Sequence, residues 1–247
     1  HRTVTVDRPI IDLLLYAKEM YTVTGGKVNI AMGSVLSIWH DYRTAGLDEP
    51  WAAELPPMDR LTEAAKHTDI NDVIIDEEAS TVFLADPMMT LDVGAIAKGW
   101  SVQRAAENAP SGLLISVGGN VCATGPKDEN GTPWVVGVTN PDGGDYLHTI
   151  YTENSSVVTS GDYQRAYWVD GKAYHHIIDP DTLMPAAYWR SVSIVCGDSF
   201  SDSGLADALS TALFVMPLEE GLALAEKCGV EAMWLHRDGT RSYTPDF

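Results

Sequence analysis

A chain of 247 residues that is 45% hydrophobic and 21% charged can bury a sizeable core, as one large domain or two closely packed halves. Its 35 Asp and Glu against 16 Lys and Arg give a net charge of −19, which argues against nucleic acid or anionic lipid as a partner and makes any anionic ligand depend on a metal or a local basic patch. Cys122, Cys196 and Cys228 are far apart, each in an apolar run, so they read as small core hydrophobes rather than a disulfide framework or a metal knuckle.

No apolar run approaches bilayer length and no signal segment is visible; the chain starts at His1 rather than Met, which leaves a removed leader open. Pro9 suits a first helical position, with Asp7 before it as a cap. Ile10, Leu13, Leu14, Ala17, Met20 and Tyr21 then recur at helical spacing until Gly25-Gly26 stops the run. After the unassigned segment Lys27 to Tyr42 and a loop rich in Pro and charge, a second amphipathic helix is expected near Met58 to His67. Val73 to Ile75 and Val82 to Leu84 flank an acidic turn and predict a hairpin.

The stretch Leu91 to Gly99, LDVGAIAKG, lies between a strand-like run and a helix-like one, Trp100 to Asn108. Asp92, Gly94, Lys98 and Gly99 fall within eight positions, so the backbone can approach a ligand while Asp92 and Lys98 supply opposite charges. The glycine intervals match neither the Walker loop nor the dinucleotide fingerprint, and an ordinary strand-to-helix turn stands beside the nucleotide-cradle reading.

Strands dominate next. Leu113 to Val117 runs into Gly118-Gly119, Trp134 to Val138 precedes the turn at Asn140 to Gly144, and Tyr146 to Thr152 is the expected partner. In Thr159 to Pro180 the Asp170-Gly171 pair predicts a hairpin, and strand alternation would put Tyr174, His176 and Ile178 on one face. Leu205 to Met216 predicts a nearly all-apolar helix interrupted by Asp207, Ser210 and Thr211. A carboxylate and a hydroxyl at i and i+4 in such a setting need a partner, and a hard cation held by oxygen ligands would satisfy them; an internal hydrogen bond is the plainer alternative. A helix from Pro217 closed by Gly229 and a hairpin around Asp238-Gly239 complete the chain.

The strings GGKVNIAMGSVLSIW, LDVGAIAKGW, LLISVGGNVCATG, TSGDYQR, YHHIIDP and LADALSTALFV, in this order, resemble the ApbE family of FAD:protein FMN transferases, from about residue 9 onward. The resemblance implies a single α+β, T-fold-like domain over residues 1–247, with mixed, largely antiparallel sheets packed by helices. It also implies Mg²⁺-dependent transfer of the FMN half of FAD onto a Thr or Ser of an acceptor flavoprotein, releasing AMP. A Mg²⁺-dependent FAD pyrophosphatase and a non-catalytic flavin-binding protein are the alternatives.

Carried over by position, the family pattern gives Lys27, Val28, Asn29, Asp92 and Ile178 as FAD contacts; on a chain this acidic Lys98 is expected to help the metal offset the charge of the pyrophosphate. It gives the Ala95 carbonyl, Asp207 and Thr211 as metal ligands, with Ser210 beside them, and His176 as the catalytic histidine. Asn29 stands where Asp is common. The family's opening segment with its Met-Gly-Thr motif lies outside this sequence, so weaker FAD binding than in an extended chain is expected. The family usually works outside the cytoplasmic membrane, often tethered through a lipidated N-terminal Cys, which implies an extracytoplasmic setting and a possible tether here.

Overall fold

The computed structural model describes residues 2–197 and 202–247. In chain order the elements are β1 (Val4–Thr5), α1 (Arg8–Val23), α2 (Gly33–Asp48), α3 (Met58–Ala65), β2 (Val73–Asp76), β3 (Thr81–Leu84) and α4 (Ala97–Glu107). Then come β4 (Leu114–Val117), β5 (Asn120–Ala123), β6 (Trp134–Val138), β7 (His148–Thr152), β8 (Ser156–Gly161), β9 (Ala166–Val169) and β10 (Lys172–His175). The chain continues with β11 (Trp189–Cys196), α5 (Ser203–Phe214), α6 (Leu218–Cys228), β12 (Val230–His236) and β13 (Arg241–Tyr243). The class is α+β, with antiparallel strand pairing throughout the described sheets. Contacts divide the chain into two compact units, His1–Gly94 with Gln164–Ala186 and Ala95–Tyr163 with Ala187–Phe247.

The first unit holds a three-stranded sheet, β1-β3-β2, the helices α1 to α3 and the β9–β10 hairpin. Helix α1 begins after Asp7 as expected, yet the Asp7 side chain makes no capping bond; the helix is held instead by its buried stripe of Ile11, Leu13, Leu14, Ala17 and Met20. Gly25 and Gly26 end it with positive φ. Helix α2, unassigned from sequence, packs Val35 and Trp39 into a core with Met32, Leu61, Tyr167 and Ile178. Trp39 Nε1 donates to the Leu183 carbonyl at 2.9 Å, and a Cβ on Gly46 would sit 2.6 Å from the Tyr167 ring, so glycine is what lets that ring approach the helix. Asp170-Gly171 forms the predicted tight turn, with φ of 49° and 77°.

The second unit is built on a six-stranded sheet in the order β13-β12-β11-β8-β5-β4. Helix α5 packs on β8 and β11, α4 on β4 and β5, and α6 on β12. On β12 the side chains alternate: Trp234 meets α6 at Gly221, while Met233 and Leu235 join Val138 and Leu147 of the β6–β7 ribbon. Strand β11 is therefore central and buried along most of its length. Cys122 and Cys196 are buried, no disulfide joins any of the three cysteines, and burial pushes each thiol up from the ordinary thiol range.

Candidate functional site

In the second unit the motif residues meet where α4 crosses α5. Helix α5 is buried nearly all round, and Asp207, at its centre, is only 2% exposed. A carboxylate so deeply placed needs partners. The Gly99 amide donates to Oδ2 at 2.8 Å, and Lys98 Nζ lies 3.2 Å from Oδ1 and 3.4 Å from Oδ2. Gly99 is in the first turn of α4, whose own N-cap position, Ile96, supplies no side-chain bond. Asp207 thus caps α4 from a neighbouring helix, and the positive end of that helix favours the carboxylate.

Gly99 has a role different from the one expected of it. A Cβ there would fall 2.3 Å from the Ser203 carbonyl and 2.5 Å from Asp207 Cβ, so the glycine is the point of closest approach between α4 and α5 rather than a bare surface offered to a ligand. Ser210, fully buried, donates from Oγ to the Asp207 carbonyl at 2.9 Å and pairs with Ser160 Oγ at 2.9 Å. Thr211 follows one turn after Asp207 and is half-buried; Ala95 lies in the turn that leads into α4. Gly118 and Gly119, both at positive φ, form a two-residue hairpin turn that joins β4 to β5, and the stem of Lys98 passes alongside, 3.3 Å from a Cβ placed on Gly118.

In the first unit Asp92 is exposed and spends Oδ1 on the Gly94 amide at 2.7 Å, while its own amide donates to the Ile30 carbonyl at 2.8 Å. Thr90, Leu91 and Asp92 border a shallow groove of about 330 Å³ with Gly33, Leu36, Ser37 and His40, at the start of α2. Gly33 is required here, since a Cβ would lie 2.4 Å from the Thr90 carbonyl. Lys27 Nζ pairs with Asp181 at 2.5 Å. Val28 is a core residue, 2% exposed. Asn29 caps the single turn Ile30–Met32 through Oδ1 to the Ala31 amide, and its Nδ2 donates to the Thr68 carbonyl at 2.9 Å.

One expectation about this unit is corrected. Strand β10 ends at His175, so Tyr174, His176 and Ile178 do not share a strand face. The cause is His175 itself: its Nε2 pairs with the Ala186 carbonyl at 2.9 Å and its Nδ1 accepts from the Ile177 amide at 3.2 Å, a local bond that replaces the ladder. His176 follows in a bend, half-buried with Nδ1 withdrawn from solvent, and Ile178 is in the α2 core, bridged to Pro185.

The ApbE family model matches residues 1–234. The chain belongs to the ApbE family. It is 36% identical to the FAD:protein FMN transferase of Treponema pallidum, over 95% of this chain and 67% of that protein, and 32% identical to one from Klebsiella pneumoniae, over 95% and 71%. The crystal structure of the ApbE protein from Thermotoga maritima superposes with a TM-score of 0.84 at 32% identity, covering 99% of this chain and 78% of that one.

For an ApbE chain the first question is whether the residues around Asp207 suit a magnesium ion. No three His, Cys, Asp or Glu side chains converge among the described residues, so a cation would rest on one carboxylate and neutral oxygens. The donors present are of that kind, and oxygen is what a hard cation takes. Ser203, one turn before Asp207 on α5, is fully buried, and its Oγ has no hydrogen-bond partner among the described residues. The set fits. Sequence reading missed Ser203, although its place four residues before Asp207 repeats the spacing that singled out Thr211. It also missed the bond from His67 Nδ1 to Asp86 Oδ2, 2.6 Å, which ties the end of α3 to the segment leading to Asp92.

Proposed function

We propose that this chain is an FAD:protein FMN transferase, which moves the FMN half of FAD onto a Thr or Ser hydroxyl of an acceptor flavoprotein and releases AMP. The observation that carries the proposal is the carboxylate of Asp207, buried at the positive end of α4 among oxygen donors, in a chain whose curated relatives bear that name. The reaction is phosphoryl transfer: a bond forms from the acceptor oxygen to the FMN phosphorus and the pyrophosphate bond to AMP breaks.

Asp207, Thr211 and the Ala95 carbonyl would hold Mg²⁺, and Ser210 fixes the turn of α5 that presents Asp207. When bound, the ion supplies charge neutralisation at the pyrophosphate oxygens, which a chain of net charge −19 otherwise repels. Asp92 and the groove beside it take part of the FAD, with Asn29 holding backbone of the same unit through the Ala31 amide and the Thr68 carbonyl, and Lys27 paired with Asp181. His176 accepts the proton of the attacking hydroxyl, the general-base role that imidazole most often fills. An extracytoplasmic setting, with a membrane tether outside these residues, belongs to the same proposal. No helix among the described residues is long and apolar enough to cross a membrane.

The test is to incubate the protein with FAD, MgCl₂ and a candidate acceptor, weigh the acceptor and quantify AMP. Gain of one FMN by the acceptor with matching AMP supports the transferase. Free FMN and AMP with an unmodified acceptor would make the protein a pyrophosphatase, and unchanged FAD a non-catalytic flavin binder.

A further inference from the structure

The Asp207 carboxylate already has a cation within the chain, and the way that cation is held is uneven. Asp207 is 3% exposed at its side chain, whereas Lys98 is 36% exposed. The Gly99 amide, fixed by α4, makes the short contact at 2.8 Å, while Lys98 Nζ stands off at 3.2 and 3.4 Å, shared between both oxygens. Lys98 is anchored one position before Gly99, and its stem lies along the Gly118 turn. An ammonium on a flexible four-carbon stem, already partly in water, can leave at little cost in desolvation. The carboxylate cannot, because it is buried where α5 meets α4.

We infer that Lys98 is the resident counter-ion of Asp207, which a divalent cation has to displace, so that Lys98 sets the metal affinity of the site and is released into solvent when the metal binds. The exchange keeps the buried carboxylate paired at every stage, since an uncompensated buried charge is the costly state. It also frees a positive charge beside the Gly118-Gly119 turn at the moment an anionic substrate needs one. This inference rests on the Mg²⁺ reading proposed above.

The test is calorimetric titration of MgCl₂, without FAD, into the wild type, Lys98→Met, Lys98→Gln and Asp207→Asn. Both Lys98 variants are expected to bind Mg²⁺ about ten- to a hundredfold more tightly than wild type, the size of one hydrogen bond to a charged group expressed as affinity. They are also expected to melt lower in EDTA and to recover with Mg²⁺. A lysine with a merely structural role would lower stability and metal affinity together, so unchanged or weaker Mg²⁺ binding in both variants overturns the inference.

A second measurement uses the folded wild type, in case the variants are unstable without metal. Acylation of Lys98 by an amine-reactive ester, followed by peptide mass, should run several-fold faster with Mg²⁺ than with EDTA. Equal rates overturn the inference. Wild type that binds Mg²⁺ while Asp207→Asn does not, with Lys98 variants unchanged, sinks the counter-ion role alone; absence of Mg²⁺ binding in the wild type sinks the metal reading and this inference with it.

Discussion

Two carboxylates stand out in the motifs of this chain, and their surroundings differ in kind. Asp207 lies at the middle of a helix buried nearly all round, where it accepts from the amide of a second helix and pairs with a lysine. Asp92 lies in an exposed turn, bonded to an amide two residues further on. The position of Asp207 is fixed by the packing of α4 on α5, so any change there is felt by the fold as well as by a ligand. Asp92 is fixed by its own turn, and a change there should be felt by a ligand alone.

The largest effect is expected at the buried carboxylate. Asp207→Ala should abolish Mg²⁺-dependent AMP release. It should also destabilise the protein by about 1–3 kcal/mol, because the Gly99 amide and Lys98 lose their acceptor; in a chain of this size each kcal/mol lowers Tm by roughly 2–4 °C. Calorimetry and AMP quantification check the two effects separately, and an unchanged Mg²⁺ requirement would remove Asp207 from the metal site. His176→Ala comes next. As the proton acceptor its loss should slow transfer by roughly two to four powers of ten with FAD affinity nearly unchanged. A histidine that only packs would give parallel losses of Tm and activity, with the folded remainder fully active.

Asp92→Ala should sharpen the contrast by doing the opposite of Asp207→Ala. An exposed turn residue is expected to change stability by no more than about 0.5 kcal/mol, while FAD binding weakens. Equilibrium titration of FAD set beside the melting curve is the check. A fall in Tm as large as that of Asp207→Ala would mean that both carboxylates are structural, and the distinction drawn between them would be lost.

Much of the scaffold around these residues could be read in advance where the signal was local. Asp170-Gly171 turned as its φ requirement demands, and Gly25-Gly26 and Gly229 ended helices as expected. Helix α2 went unread because Ser, Thr and Gly dilute its apolar stripe; what makes it a helix is distant packing of Trp39 and Gly46 against the Leu183 carbonyl and the Tyr167 ring. Strand β11 went unread because it is buried on both faces, so Ser191 and Ser193, facing inward like Val192 and Ile194, gave no polar side to recognise. At the candidate site, spacing showed that Asp207 needed a partner, but Lys98 lies 109 residues away and no periodicity reveals a pair made by tertiary packing. The strand face drawn through His176 failed because a neighbouring imidazole bonded its own backbone, which alternation does not anticipate.

The smallest effect expected is at a third carboxylate, intermediate between the first two. Asp86 begins the segment that ends at Asp92, yet it has a side-chain partner, His67, at 2.6 Å, and it also accepts from the Met88 amide at 2.8 Å. The hydrogen bond from His67, followed by the Met88 amide, holds its carboxyl below the usual carboxylate range. The sign follows from linkage. A carboxyl whose folded pKa is depressed adds stability that is fully present above its unfolded value, about 3.9, and is lost as pH falls from there toward the lower folded value. Asp86→Asn should therefore lower Tm slightly at pH 7, and the gap to wild type should close as the pH is taken below about 4. Melting curves across that range decide it. A gap of equal size at both ends would show that the pair acts as a neutral hydrogen bond. The approach to Asp92 would then be held by geometry alone, as Asp92 itself is.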